Sequence, residues 1–219
     1  MNQKIRRIIK KSSVFSFIYW KFLYCPAALQ IDLSKLKSVA DSFNGNMMNE
    51  LAIDSPMFDE YVDFINISYN EKIYSKNELR NMLLHHHYLK DVKTYVLLNN
   101  SNRIVGTISA GVYENKNWGG CLKLAVDKSI RKQGLGSYLL HYGYHTLKKR
   151  GCQYGESIVS DRKSRIPSLM SHFKCGFIPQ TQRELVQFKV CRGRYNILKS
   201  RFTNQWVMKY YDLYLSNRK

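Results

Sequence analysis

The stretch that decides the fold runs from Leu122 to Ser137 and has the sequence LKLAVDKSIRKQGLGS. An apolar segment ends at Val126, and a short basic loop, two glycines two positions apart and a helical pattern follow it directly. This order predicts a strand, a turn and the start of a helix. At such a turn the first N–H groups of the helix lack intrahelical partners and the helix dipole adds positive potential, so the turn attracts anions.

The residues of this loop suit a phosphate group. Gly134 and Gly136 let the backbone approach a pyrophosphate closely or adopt a positive φ, while Arg131 and Lys132 bring mobile positive charge. The spacing is Arg-x-x-Gly-x-Gly, which is neither the Gly-x-Gly-x-x-Gly of dinucleotide-binding folds nor an ATP P-loop. On its own, a glycine turn that only caps an ordinary crossover explains this spacing equally well.

Composition bounds the class of protein. With 219 residues, 44% of them hydrophobic, the chain is long enough for one domain with a sizeable core and additional segments. Its five cysteines are scattered and form no Cys-x-x-Cys pair, which indicates reduced thiols rather than disulfides or a zinc site. The run from His85 to His87 is no better a metal site, because consecutive histidines point to different sides of a helix. We therefore expect a cytoplasmic protein without a metal.

The formal net charge of +19 is concentrated at the two ends of the chain. Residues 1–37 contain eight Lys and Arg against Asp32 alone, and residues 189–219 contain eight against Asp212 alone. Such ends would attract an acidic partner, an anionic membrane surface or nucleic acid. We predict a basic aromatic N-terminal arm over 1–45, a central domain over 46–190 and a basic aromatic C-terminal extension over 191–219.

The N-terminal arm places basic residues before an apolar aromatic run from Val14 to Cys25. Lys21 interrupts the run and no small-residue cleavage site follows, so it matches neither a signal peptide nor a membrane span of about 20 apolar residues. Two alternatives remain. The arm is either a basic, aromatic helix that lies on an anionic surface at the inner face of the membrane or on another acidic partner, or a helix that packs its aromatic face on the domain.

Hydrophobic periodicity predicts the order β-α-α-β-β-β-α-β-α-β in the central domain. An antiparallel meander that feeds βαβ crossovers implies an α/β fold, with a mixed, mostly antiparallel twisted sheet, helices on both faces and helical extensions at both ends. The expected strands are 47–53, 94–98, 104–113, 121–126, 154–159 and 184–190, and the expected helices are 56–69, 76–84, 137–150 and 167–174.

Three ordered features of the central domain resemble the GNAT N-acetyltransferase superfamily, over about residues 46–190. They are a strand that ends Leu-Ala-Val-Asp, the loop from Arg131 to Gly136, and a later helix that ends in the sequence from His172 to Phe177, HFKCGF. The Arg-x-x-Gly-x-Gly loop is the specific part of the likeness. The Gly-Phe pair that closes the second helix supports it independently.

The resemblance implies an N-acyltransferase that takes an acetyl or longer acyl group from CoA, with acetyl-CoA as the donor and a primary amine of a small molecule or peptide as the acceptor. In that family the loop amides hold the CoA pyrophosphate, and the preceding strand aligns the pantetheine arm and the thioester. By position, the strand residues are Leu124, Ala125 and Val126, and the loop residues are Arg131, Lys132, Gln133, Gly134, Leu135, Gly136 and Ser137.

The catalytic end departs from the family pattern. His172 stands where the family usually has the tyrosine that protonates the leaving thiolate. Histidine titrates near neutral pH, so this side chain could donate the proton, or it could simply pack in the helix. No residue is marked as the general base: Glu114, at the end of the second meander strand, Asp127 and Glu156 are candidates by position alone.

A second class of function fits the same residues: a catalytically silent module whose basic ends bind nucleic acid or an anionic membrane surface. In the C-terminal extension an aromatic residue recurs every four positions from Phe202 to Tyr214. This stripe is typical of a docked helix, although mixed basic and aromatic residues are also typical of single-stranded nucleic-acid binding. The acceptor amine and the oligomeric state are not identified by the sequence.

Overall fold

The computed structural model describes residues 27–69, 73–114, 117–159, 166–179, 185–190, 193–198 and 204–217. The apolar run of the N-terminal arm lies outside these residues. The chain divides into two compact units, one formed by 30–157 with 171–177 and the other by 1–29, 158–170 and 178–219.

Ten strands and five α-helices occur in the described ranges. No helix within those ranges is long and apolar enough to cross a membrane. The strands are β1 (Ala27–Asp32), β2 (Ser42–Phe43), β3 (Asn46–Leu51), β4 (Leu89–Leu98), β5 (Ile104–Tyr113), β6 (Trp118–Val126), β7 (Tyr154–Val159), β8 (Ile178–Pro179), β9 (Leu185–Val190) and β10 (Gly193–Leu198). The helices are α1 (Met57–Tyr69), α2 (Lys76–Leu84), α3 (Leu135–Lys149), α4 (Ile166–Lys174) and α5 (Asn204–Ser216).

Eight strands form one mixed sheet in the order β2-β3-β4-β5-β6-β7-β1-β8. The strands from β2 to β6 are antiparallel to their neighbours, whereas β7 lies parallel to β6. This confirms the mixed, mostly antiparallel sheet predicted from the order of the elements.

Helices cover both faces of this sheet. On one face, side chains of α1 and α2 such as Phe58 and Leu79 form a core cluster with Val96 of β4. On the other face α3 lies close to the strands, because a Cβ atom on Gly106 of β5 would come within 2.8 Å of the Leu139 side chain. The predicted position of helices on both faces is therefore confirmed.

The strand pairings differ from the predicted order at two places. β1 lies between β7 and β8 in the sheet, although its residues belong to the segment that the sequence assigns to the N-terminal arm. The predicted last strand forms as β9, but it pairs with β10 in a separate hairpin. Periodicity indicates that a segment is extended and does not specify its neighbour, which accounts for both differences.

The segment between β1 and β2 lies along α3. The Lys148 ammonium donates to Leu36 O at 2.8 Å, and the Tyr138 hydroxyl donates to Ala40 O at 2.9 Å. The segment ends with the Phe43 ring 4.8 Å from the Tyr138 ring, beside the first turn of α3. The start of this helix is thus packed from outside by a segment that the motifs do not include.

The C-terminal helix α5 buries one of its faces. Val207 and Tyr214, seven residues apart, are buried, whereas Leu213 and Leu215 are exposed. Within its own unit α5 lies against β8. This burial favours the docked helix of the two alternatives for the aromatic stripe.

Candidate active site

A network of hydrogen bonds shapes the start of the loop after β6. Asp127 Oδ1 accepts the Ser129 N–H at 2.8 Å and the Ser129 hydroxyl at 2.6 Å, while the Asp127 N–H donates to Val105 O. The hydrogen bonds from Ser129 lower the pKa of Asp127. Asp127 is therefore a structural cap of the short 3-10 turn at Lys128–Ile130 and a poor general base.

The first turn of α3 begins without a side-chain cap. Its N-cap residue is Gly134, which has φ +87° and forms no side-chain hydrogen bond to the helix. The backbone N–H groups of Leu135, Gly136 and Ser137 lie in this first turn, where intrahelical partners are missing. A Cβ atom on Gly136 would meet no other atom within 4 Å, so this side of the turn is open.

Polar side chains surround this open turn. Arg131, Lys132 and Gln133 are all exposed. The Arg131 Nε donates to Val126 O at 3.1 Å, which ties this side chain to the end of β6. Uncapped amides, glycine backbone and nearby cations together form an arrangement that accommodates a diphosphate.

A β-bulge interrupts β6 three residues before its end. Ser109 pairs with Leu122 and Thr107 pairs with Ala125, so that Lys123 and Leu124 together oppose the single residue between them on β5. Lys123 has φ +54°, which is uncommon for a residue with a side chain. The bulge places Leu124, Ala125 and Val126 between the irregular backbone and the loop.

The strands β6 and β7 separate close to this bulge. Their parallel pairing runs from Trp118 with Tyr154 to Gly120 with Glu156 and ends there, although β6 continues to Val126. From Gly120 to the loop, about 20 Å of β6 is therefore not paired with β7, and we call the space beside this edge of β6 the cleft.

His172 of α4 lies at the start of the cleft. Its Nε2 is 2.7 Å from the hydroxyl of Ser157, the first residue of β7 beyond the last pair with β6. The imidazole is only 3% exposed and meets the Phe177 ring edge-on at 5.0 Å. The Cys175 thiol donates to Ser137 O at 3.3 Å, which links the end of this helix to the open turn of α3.

A model of the acetyltransferase (GNAT) family matches residues 56–177. The chain belongs to the GNAT family. No significant match is found among curated protein sequences.

Solved GNAT structures have a similar fold. The GCN5-related N-acetyltransferase of Sphaerobacter thermophilus has a TM-score of 0.55 and 16% identity, over 78% of this chain and 53% of that protein. A GNAT-family protein of Novosphingobium aromaticivorans has a TM-score of 0.52 and 14% identity, over 73% of this chain and 62% of that protein. A glucosamine N-acetyltransferase region of a fungal multi-domain protein has a TM-score of 0.53 and 15% identity, over 71% of this chain and 20% of that protein. The chain spans about half to three fifths of the length of the two bacterial proteins.

The structure brings together the donor-side residues that the GNAT resemblance names. The strand residues from Leu124 to Val126 run directly into the loop from Arg131 to Ser137. His172 reaches the same cleft through Ser157, a residue that the sequence does not mark with any motif.

Glu114 is placed apart from His172. It is exposed in the turn after β5, whereas His172 is buried in α4. Gly111 pairs with Gly120, which is the last residue of β6 that pairs with β7. Glu114 follows Gly111 by three residues, which is about 10 Å along the strand direction. Its role as a base stays a prediction.

A cluster on the α1 and α2 side of β6, formed by Lys123, Tyr69 and Tyr74, was not apparent from the sequence. The Lys123 ammonium donates to the Tyr74 hydroxyl at 2.8 Å and lies 5.1 Å from the centre of the Tyr69 ring. The Tyr69 hydroxyl donates to Leu124 O at 2.8 Å, directly at the bulge. We call these three residues the Lys123 cluster.

His86 lies within electrostatic reach of Lys123. Its Nδ1 accepts the N–H groups of Leu89 and Tyr88, at 3.1 and 3.3 Å. Burial lowers the pKa of His86, and the charges of His87 and Lys123 add to the effect. Within the described ranges, no group of three or more His, Cys, Asp or Glu is placed to hold a metal ion.

Proposed function

We propose that the protein is an N-acyltransferase that transfers an acetyl or longer acyl group from CoA to a primary amine. One observation carries this proposal: in a GNAT-family chain, the uncapped first turn of α3 follows directly after the edge of β6 that β7 leaves unpaired. That combination would hold a phosphate group and an extended arm in continuous order.

The residues present suit an acyl-CoA donor, which supplies an activated thioester carbonyl. The amides of the first turn of α3, with Arg131 and Lys132, would hold the pyrophosphate. The open side at Gly136 leaves room for that group. The backbone of Leu124, Ala125 and Val126 would hold the pantetheine arm along the free edge of β6.

The chemistry then requires one bond to form and one to break. The amine nitrogen bonds to the carbonyl carbon, the carbon–sulfur bond breaks, and the sulfur leaves with the electron pair of that bond. His172, protonated on both ring nitrogens, passes its Nε2 proton to the Ser157 hydroxyl as that hydroxyl gives its own proton to the leaving thiolate, which leaves a neutral imidazole that solvent reprotonates. The proton lost by the amine passes through water to Glu114, the candidate base.

A turnover assay over an amine panel tests this function. Acetyl-CoA and the full chain are incubated with amino acids, polyamines, amino sugars and peptide N-termini, and the CoA thiol released is measured against controls without amine. Glucosamine belongs in the panel because a fungal protein of similar fold is described as a glucosamine N-acetyltransferase. We expect amine-dependent thiol release. Binding of acetyl-CoA without turnover on any amine would instead support the catalytically silent module.

A further inference from the structure

We propose that Lys123 selects acceptor amines that carry a carboxylate close to the reacting nitrogen, as in an amino acid or the end of an acidic peptide. This inference rests on the proposed function, because it names the class of acceptor that the same site takes. Neither the loop nor the family match assigns a role to this lysine.

The first argument is position. Lys123 is a residue of the β-bulge. It directly precedes Leu124, the first of the three β6 residues that we propose to align the acyl-CoA donor. Its side chain meets Tyr69 and Tyr74, on the side of α1 and α2. Cys121 lies against the opposite helix, because a Cβ on Gly143 of α3 would come within 2.9 Å of its sulfur. The Lys123 ammonium and the phosphate loop at the start of α3 thus belong to different faces of the same strand.

The second argument is that this cation is preorganised. Tyr74, which accepts from the Lys123 ammonium, is itself fixed by Asn66, whose side-chain oxygen accepts the Tyr74 N–H at 2.7 Å. Asn66 also donates to Tyr74 O at 3.0 Å. Because the lysine is partly buried and already oriented, an anion beside it gains attraction with little loss of side-chain freedom.

The third argument is the sign of the local field. Burial is the main cause of the lowered pKa of His86, and the charges of His87 and Lys123 add smaller contributions, so Lys123 adds a positive field on this side of the sheet. The same positive field favours the neutral form of a bound amine, which is the form that attacks the carbonyl. An acceptor with a carboxylate therefore gains affinity, while a second cation on the acceptor is repelled.

Two CoA conjugates test the inference without knowledge of the natural acceptor. In each conjugate an acetyl group joins the CoA sulfur to the nitrogen of glycine or of glycinamide. The two conjugates therefore differ only in that one carries a carboxylate where the other carries a neutral amide. Their affinities for the full chain are measured by calorimetry, together with that of CoA. We expect the glycine conjugate to bind on the order of tenfold more tightly than the glycinamide conjugate.

Variants assign this preference to one side chain. In Lys123→Met we expect the ratio of the two affinities to fall to about one, while Lys123→Arg retains it because the charge is kept. The matched control is Lys149→Met, which removes an exposed lysine at the far end of α3 and should keep the wild-type ratio. Unchanged affinity for CoA itself shows that each variant is folded.

The outcomes separate this inference from the proposed function. If the wild type binds CoA and binds both conjugates with the same affinity, the proposed selection by charge is wrong, while the proposed donor site is still supported. If the preference survives in Lys123→Met, the anion is recognised by another group and the assignment to Lys123 is overturned. If wild type does not bind CoA at all, the proposed function and the inference built on it are both wrong.

Discussion

The two sides of β6 are constructed from different parts of the chain. The proposed donor side consists of consecutive residues, from Leu124 through the loop to Ser137, and offers mainly backbone amides. The proposed acceptor side consists of side chains that meet across long stretches of sequence, since Tyr69 and Leu124 are 55 positions apart and Tyr74 and Lys123 are 49 apart.

Because of this difference, we expect the two sides to respond differently to substitutions. A backbone-built site depends on a few glycines and tolerates many side chains around them. A site built from side chains changes its preference when one charge or hydroxyl changes. We therefore expect donor-side substitutions to abolish binding and acceptor-side substitutions to alter selectivity.

The largest expected effect belongs to Gly134→Trp. A side chain at φ +87° strains the backbone, and the indole covers the turn where phosphate oxygens would bind. Loss of two charge-assisted hydrogen bonds predicts a decrease in acetyl-CoA affinity of about a hundredfold or more. Calorimetric titration of acetyl-CoA measures it.

Gly151→Trp is the matched control for this variant. Gly151 follows α3 and has φ +86°, and a Cβ added there would meet no atom within 4 Å, so the backbone strain is equivalent. We expect both variants to lose stability on the order of 1 kcal/mol, and only Gly134→Trp to lose acetyl-CoA. Equal acetyl-CoA affinity in the two variants would show that the loop is not part of the donor site.

The next effect concerns the contact between His172 and Ser157. We expect Ser157→Ala to lower kcat by about tenfold to a hundredfold because it interrupts proton delivery, while the acetyl-CoA affinity stays the same. The measurement is steady-state thiol release with the best amine of the panel. Ser157→Thr keeps the hydroxyl and should keep most of the activity. Equal kcat in wild type and Ser157→Ala would show that the pair only packs.

A smaller effect concerns the pH dependence of stability on the acceptor side. Burial, with His87 and Lys123, lowers the pKa of His86 below the ordinary 6.5. The unfolded chain therefore binds this proton more readily, so stability is complete above pH 6.5 and is lost as pH falls from there through the lowered pKa. His86→Asn retains an acceptor for the two N–H groups but does not titrate.

Urea unfolding of the two proteins at about pH 7.5 and about pH 5 measures this effect. We expect the wild type to lose more stability than His86→Asn over that interval, since other titrating groups are common to both. An identical loss in the two proteins would show that His86 is not held in its neutral form.

The smallest expected effect is that of Tyr69→Phe. The variant removes the hydrogen bond from the Tyr69 hydroxyl to Leu124 O and should cost about 1 kcal/mol of unfolding free energy. We expect acetyl-CoA affinity to change little, because the donor-side amides are untouched. A loss as large as that of Gly134→Trp would contradict the separation of the two sides.

Sequence patterns were sufficient for most of the fold, whereas the residues that they assign to the donor side stay a prediction. The loop, the meander and the crossover are local, and alternating or helical periodicity identifies them; the family and the mixed sheet are confirmed. The pairing of β1 beside β7 is a long-range choice that periodicity does not express. β2 and β8, with two residues each, are too short to show a period.

The Lys123 cluster could not be predicted for a related reason. The segment from Leu122 to Val126 has the pattern of a regular strand, and a one-residue bulge leaves no mark in its composition. The positive φ of Lys123 is likewise unusual for lysine. Ser157 gains its importance only through α4, the next element along the chain, which brings His172 to its hydroxyl.

Backbone hydrogen exchange with and without saturating acetyl-CoA tests the central claim most directly. We predict slower exchange of the amides of Leu135, Gly136 and Ser137 and of the β6 edge from Leu124 to Val126, with little change in the turn between β4 and β5. Unchanged exchange at the first turn of α3 under saturation, or protection confined to another part of the chain, would contradict the account.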